Sequence, residues 1–449
     1  MIYAVNRSVS FFAGRRCALL WCVSIAFVAL CARADDFQGA THMMPFEEDT
    51  INYNNAATTG VVAQLQKRID SGAAALKHDE AYGYLLALLE ELKVPKSSQM
   101  LVFSKTSLQR EHISPSRPRS IFFNDDVYIG FIPGAPLIEV SVADPKLGGV
   151  FYTLDQTKAD KARITRNNQC LECHASAKTM GVPGHLARSF ATDESGVVDF
   201  NSGISQVNHR TPFEERWGGW YVTGKHGEQT HRGNLVGKAA FERQAKEPNF
   251  CGNVTNLSEY FDVTRYVRNQ SDVVALMVLE HQMHMHNFIT RLNYETTMQL
   301  KQYGHVRYLK NTAESFLKYL LFAEEAPLTN TVQGSAEFVK DFTSRGPRDK
   351  RGRSLRDFDL QTRLFKYPCS YLIYSDAFDA LPAPMKEHLY SRLWEILTGK
   401  DQSATYASLN PSTRRTIREI LAETKRDLPA YWRKEPVTAN APMHGAAKR

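Results

Sequence analysis

The 449 residues carry 43% hydrophobic and 23% charged side chains, the balance of an ordinary folded chain, and at this length a single hydrophobic core gives way to two or three cooperating lobes. No low-complexity tract or solenoid-length repeat occurs, so most of the chain is expected to fold. The formal charge of +7 overstates the basicity of the mature protein: residues 1–34 hold Arg7, Arg15, Arg16 and Arg33 and no acid, and their loss leaves 51 basic against 48 acidic side chains. So even a balance excludes a strongly basic nucleic-acid binder.

In chain order, the first feature is an export signal. Arg7, Arg15 and Arg16 precede an apolar run from Cys17 to Leu30, and Ala32-Arg33-Ala34 offers small residues to a signal peptidase, so residues 1–34 read as a cleaved signal peptide and the mature chain as periplasmic. About 14 apolar residues fall short of the roughly 20 that span a bilayer, which argues against a transmembrane anchor after cleavage. Leu30 before Cys31 is too large for a lipoprotein cleavage site, and the Arg15-Arg16 pair alone is weak support for a twin-arginine route. Cys17, Cys22 and Cys31 leave with the signal, and Cys170, Cys173, Cys251 and Cys369 stay. In an oxidising compartment Cys251 and Cys369, 118 residues apart, either close a disulfide worth about 4 to 5 kcal/mol or remain two buried thiols.

The rest predicts an α+β fold, mainly helical. Apolar spacing gives helices over 60–70 and 81–92, the second stopped by Pro95. The pattern then changes to strands over 100–103, 121–123, 127–132, 137–142 and 150–154, with turns at Asn124-Asp125-Asp126 and Pro133-Gly134, which predicts a small antiparallel sheet. Residues 35–158 thus form an α+β N-terminal lobe. Residues 159–250 are rich in glycine and turns, as a segment that wraps a ligand would be. Helices are expected over 271–303, 310–325, 335–343, 386–397 and 412–425, making 251–433 a helical lobe, and 434–449 a short polar, disordered tail.

The turn-rich segment carries Cys170-Leu171-Glu172-Cys173-His174. Two thiols three residues apart on a helical turn can each add to a vinyl group on one edge of a porphyrin, and the next residue then offers its imidazole to the iron. A zinc site would need a second paired motif, which the isolated Cys251 and Cys369 do not supply. A thioredoxin-like dithiol would follow a strand in a βαβ unit, and a simple disulfide is strained at this spacing. Covalent haem is attached outside the cytoplasm, so the signal peptide and the motif are separate features that agree.

On these five residues the chain resembles c-type cytochromes. The resemblance implies one covalent haem c bound through Cys170 and Cys173, iron held by His174, and electron transfer with a redox partner protein. It covers a very small part of the chain. The stretch Val182-Pro183-Gly184-His185 with Arg188, and the element Trp217-Gly218-Gly219-Trp220-Tyr221, match nothing in a small cytochrome, and the length exceeds what an electron shuttle needs.

The sixth iron ligand is left open. Met180 follows His174 by only six residues, which keeps it on the proximal side. His209, His231 and the pair His281 and His284, which share a helix face at i, i+3, are the more distant candidates, against the plainer reading that they line a core. Glu280-His281-Gln282-Met283-His284 lacks the order of a zinc-protease helix. Trp217 and Trp220 around two glycines read as a haem wall or as an aromatic core, and Arg188, His185 and Arg216 as partners of haem propionates or as ordinary polar pairs. The basic run from Arg345 to Arg356 reads as a docking loop for an acidic redox partner or as a solvated loop. Three functions follow: an electron carrier with six-coordinate iron, an oxidoreductase of peroxidase or oxygenase type with an open distal position, and a haem-based sensor.

Overall fold

The structure is a computed structural model that describes residues 42–433; residues 1–34, read above as an export signal, and 434–449, read as a tail, lie outside the described residues. Five strands stand where apolar alternation placed them: β1 (Met100–Val102), β2 (Arg119–Phe123), β3 (Val127–Phe131), β4 (Leu137–Asp144) and β5 (Gly148–Asp155). Two more, β6 (Ile164–Arg166) and β7 (Trp220–Tyr221), are too short to show a period. The seven form one antiparallel sheet in the order β6-β5-β4-β3-β2-β1-β7. Asn124 sets the β2–β3 turn, its side-chain oxygen accepting from the amides of Asp126 and Val127.

Alternation gives the sheet two working faces. Phe122, Ile129, Val140 and Leu154 pack against α1 (Val61–Asp70) and α2 (Leu85–Glu91). The second helix starts at Leu85 and not at Ala81, because the Asp79 carboxylate captures the amides of Ala81 and Tyr82 in a turn. Ile121, Phe123 and Tyr128 point the other way, into the helical half.

That half comprises α3 (Leu171–His174), α4 (Gly237–Lys246), α5 (Val273–Tyr303), α6 (Lys310–Leu320), α7 (Ala336–Ser344), α8 (Asp376–Asp379), α9 (Ala383–Leu397) and α10 (Pro411–Thr424). Helix α5, 31 residues and about 46 Å long, is its axis. Asp272 caps its start by accepting from the Ala275 amide, and Gly304 ends it in the left-handed conformation. Residues 271–294 are buried on every side, so each polar side chain among them needs a partner inside the protein. One hydrophobic cluster joins Met100 and Tyr128 of the sheet, Phe213 and Trp220 of the turn-rich segment, and α5, α6 and α9, so residues 42–158, 159–250 and 251–433 share a core. No helix among the described residues is long and apolar enough to cross a membrane.

This packing bears on two of the expectations. Cys369 lies inside the main cluster and Cys251 faces the Asn234 carbonyl, both as free thiols that burial pushes up to about 12 and about 11, so the disulfide alternative falls. In the basic run, Arg345 and Arg356 pair with Asp125, Arg348 with Asp357, and Arg351 and Arg353 with Glu419. Residues 44–53 lie across the back of the turn-rich segment, where the Met44 amide donates to the Gly181 carbonyl at 2.8 Å and the Tyr53 hydroxyl to the Gly149 carbonyl at 2.7 Å.

Candidate functional site

Strand β6 delivers the chain directly to the cysteine motif. The Asn167 side chain accepts from the Gln169 amide and starts a tight turn, and α3 then carries Cys173 and His174. Cys173 is exposed and Cys170 partly buried, the latter with its thiol pushed up to about 11 by burial. Beyond the helix the chain doubles back, so that Pro183 pairs with Ala175 and the Gly184 amide donates to the His174 carbonyl at 2.8 Å.

The His174 ring meets the same residue. Its Nδ1 lies 3.0 Å from the Gly184 carbonyl oxygen, which can only accept, so Nδ1 carries the proton and Nε2 the lone pair. Burial pushes this imidazole down to about 4, with the Gly184 hydrogen bond opposing, so the ring is neutral near pH 7. A neutral imidazole with its Nδ1 tied to a backbone carbonyl is the form that ligates a metal.

A cavity of about 450 Å³ opens beside the motif and is lined by Cys170, Cys173 and His174. Its walls are the sheet face through Ile121, Tyr128 and Phe151, the following segment through His185 and Arg188, Trp220 of β7, and Met283 of α5. Arg119 and Glu139 pair across it at 2.7 Å. Arg188, with a guanidinium that burial pulls below its ordinary value, makes no ion pair among the described residues. His185 is 2% exposed with both ring nitrogens unpartnered, packed against Tyr128 at 4.4 Å and Phe151 at 5.9 Å between ring centroids. Such orphaned polar groups around an apolar hollow suit a flat, mostly apolar occupant that bears anionic groups.

None of His209, His231, His281 and His284 lines this cavity. His209 and His281 share a hydrogen between their Nδ1 atoms at 2.8 Å, His281 Nε2 meets Ser370 Oγ at 2.9 Å, and His284 pairs with Gln206 at 2.7 Å. All three rings pack on Tyr319. His231 accepts from the Gly233 amide and lies edge-on to Trp217. The reason is helical phase: positions 281, 284 and 288 of α5 turn toward α6, whereas 283 and 287, four apart, turn toward the sheet and the motif. Met283 is the residue that this phase selects.

The other candidates divide. Arg188 and His185 do line the cavity, while Arg216 is buried elsewhere in an ion pair with Glu280, which also accepts from Trp217 Nε1 at 3.1 Å. Trp220 forms a wall and Trp217 does not. The glycines between them serve backbone packing: a Cβ at Gly218 would press on the Phe190 backbone, and one at Gly219 on Ser104. Met180 ends a tight turn in the left-handed conformation and points into the core. Among the described residues there is no group of three or more His, Cys, Asp or Glu side chains that could hold a metal ion. No protein-family model, no curated protein and no solved structure matches the chain.

Proposed function

We propose that the chain is an exported, periplasmic c-type haem protein that moves electrons to or from a redox partner protein. One observation carries the reading: the Nδ1 to Gly184 bond leaves His174 Nε2 as a lone pair beside a cavity that also touches both cysteines of the motif. In this reading Cys170 and Cys173 would hold one haem by thioethers, and His174 would ligate its iron. A porphyrin supplies four of the iron's ligands, so a single histidine suffices where no three-residue metal cluster exists. Arg188, which lines the cavity without an ion pair among the described residues, would face a propionate. When bound, the group supplies a one-electron Fe(III)/Fe(II) couple.

The test is the spectrum and extraction behaviour of protein recovered from the cell envelope. Pigment that stays with the denatured chain in acidic organic solvent, with a c-type pyridine spectrum, supports the reading; colourless protein, or pigment that extracts, overturns it.

A second reading, an oxidoreductase or sensor with an open distal position, gains weight from the remoteness of His209, His231, His281 and His284. Among the residues that line the cavity, Met283 and His185 each carry an uncharged side chain with a lone pair suited to iron. Low-spin iron that ignores carbon monoxide and turns high-spin in Met283→Leu or His185→Phe supports the carrier; high-spin iron that binds carbon monoxide in the unaltered protein supports the open site.

A further inference from the structure

We propose that Asn287 of α5 is a positioning residue for the axial histidine, acting through the backbone of Gly184 and His185; this rests on the haem reading above. Three contacts form the chain of action. The Asn287 side chain accepts from the His185 amide at 2.8 Å and donates to the His185 carbonyl at 2.8 Å, so both ends of one amide grip one residue's backbone. The Gly184 carbonyl, in the peptide unit whose amide is that of His185, accepts from His174 Nδ1 at 3.0 Å. Asn287 therefore pulls on the N–H of the same peptide whose oxygen holds the imidazole, which polarises that carbonyl and strengthens its hold.

The surroundings make the grip specific. Asn287 is fully buried on the one buried face of α5 that meets the motif. A Cβ at Gly184 would overlap the Asn287 amide, so the glycine is what lets the amide approach. On the far side the Pro183 carbonyl accepts from the Gly149 amide at 2.7 Å, fixing the segment to β5. The carbonyl that orients His174 is thus held between the sheet and the central helix.

The consequence is electronic as well as mechanical. A stronger hydrogen bond from Nδ1–H makes the imidazole more basic and favours ferric iron, so loosening the peptide should raise the midpoint potential. The experiment compares holoprotein carrying Asn287→Ala and Asn287→Gln with Asn293→Ala, which removes a bond of the same kind on the same helix, to the Pro145 carbonyl, away from the motif. Expected are a raised midpoint potential and a shifted His174 ring N–H resonance in both Asn287 variants, with neither in Asn293→Ala. Unchanged potential and resonance in the Asn287 variants, or equal shifts in the control, overturn the proposal. Should one Asn287 variant fail to fold, the other decides. Wild-type protein without covalent haem removes the haem reading itself, whereas haem-loaded variants with wild-type potentials remove only the role of Asn287.

Discussion

His174 and Gly184 are bonded to each other twice, amide to carbonyl at 2.8 Å and ring Nδ1 to carbonyl at 3.0 Å, so the residue that ends the cysteine motif is held in main chain and side chain by one glycine. This closed loop is the firmest geometric fact about the site.

Gly184→Ala should therefore cost more than an average buried substitution. The new methyl has the Asn287 amide in its place, and overpacking of this kind costs about 1–3 kcal/mol. Thermal unfolding should show the loss, and Ala187→Gly, in the same segment but outside the loop, should show less; equal losses would mean that the contact is slack.

On the haem reading proposed above, Cys170→Ala and Cys173→Ala should each keep one thioether. Mass spectrometry of the denatured single variants should still find haem on the chain, with the pyridine spectrum displaced from that of the two-thioether protein, and the double variant should give up its pigment to acidic solvent.

The buried histidines give stability a definite pH slope. Burial pushes His231 and His281 down to about 3 and His286 down to about 4, so the folded state refuses protons that the unfolded chain accepts below about 6.5. Each contribution is present above pH 6.5 and is lost as the pH falls toward the folded value, at up to about 1.4 kcal/mol per pH unit. Urea midpoints measured from pH 7 to 4 should fall, and His281→Gln should flatten the fall; an unchanged slope would show that this ring takes no part.

Arg216→Met should be among the most damaging single changes outside the motif. It strands the Glu280 carboxylate, which sits with its partner in the main cluster at about 2% exposure, and breaking such a pair costs about 3–5 kcal/mol. The double variant Arg216→Met with Glu280→Leu should recover much of the loss in chemical denaturation.

Much of this architecture was legible in advance. Strands β2 to β5 and helices α1 and α5 follow from alternation and apolar spacing, because long elements with one or more buried faces write their period into the chain. Strands β6 and β7 were not legible, since three and two residues carry no period, yet they deliver the motif and Trp220 to the cavity. The cysteines and His174 announce themselves by spacing. The cavity's other residues do not: His185 and Arg188 come from a turn, Met283 from a helix buried on all sides, and only tertiary packing brings them together. For the same reason His281 and His284 misled: on a helix without a polar face, sequence cannot tell which stripe meets which neighbour.

The arginines between 345 and 356 tie the turn at Asp125 to Glu419 of the last long helix. They behave as mortar between two building stones, so concentrated salt should loosen the seam between sheet and C-terminal helices.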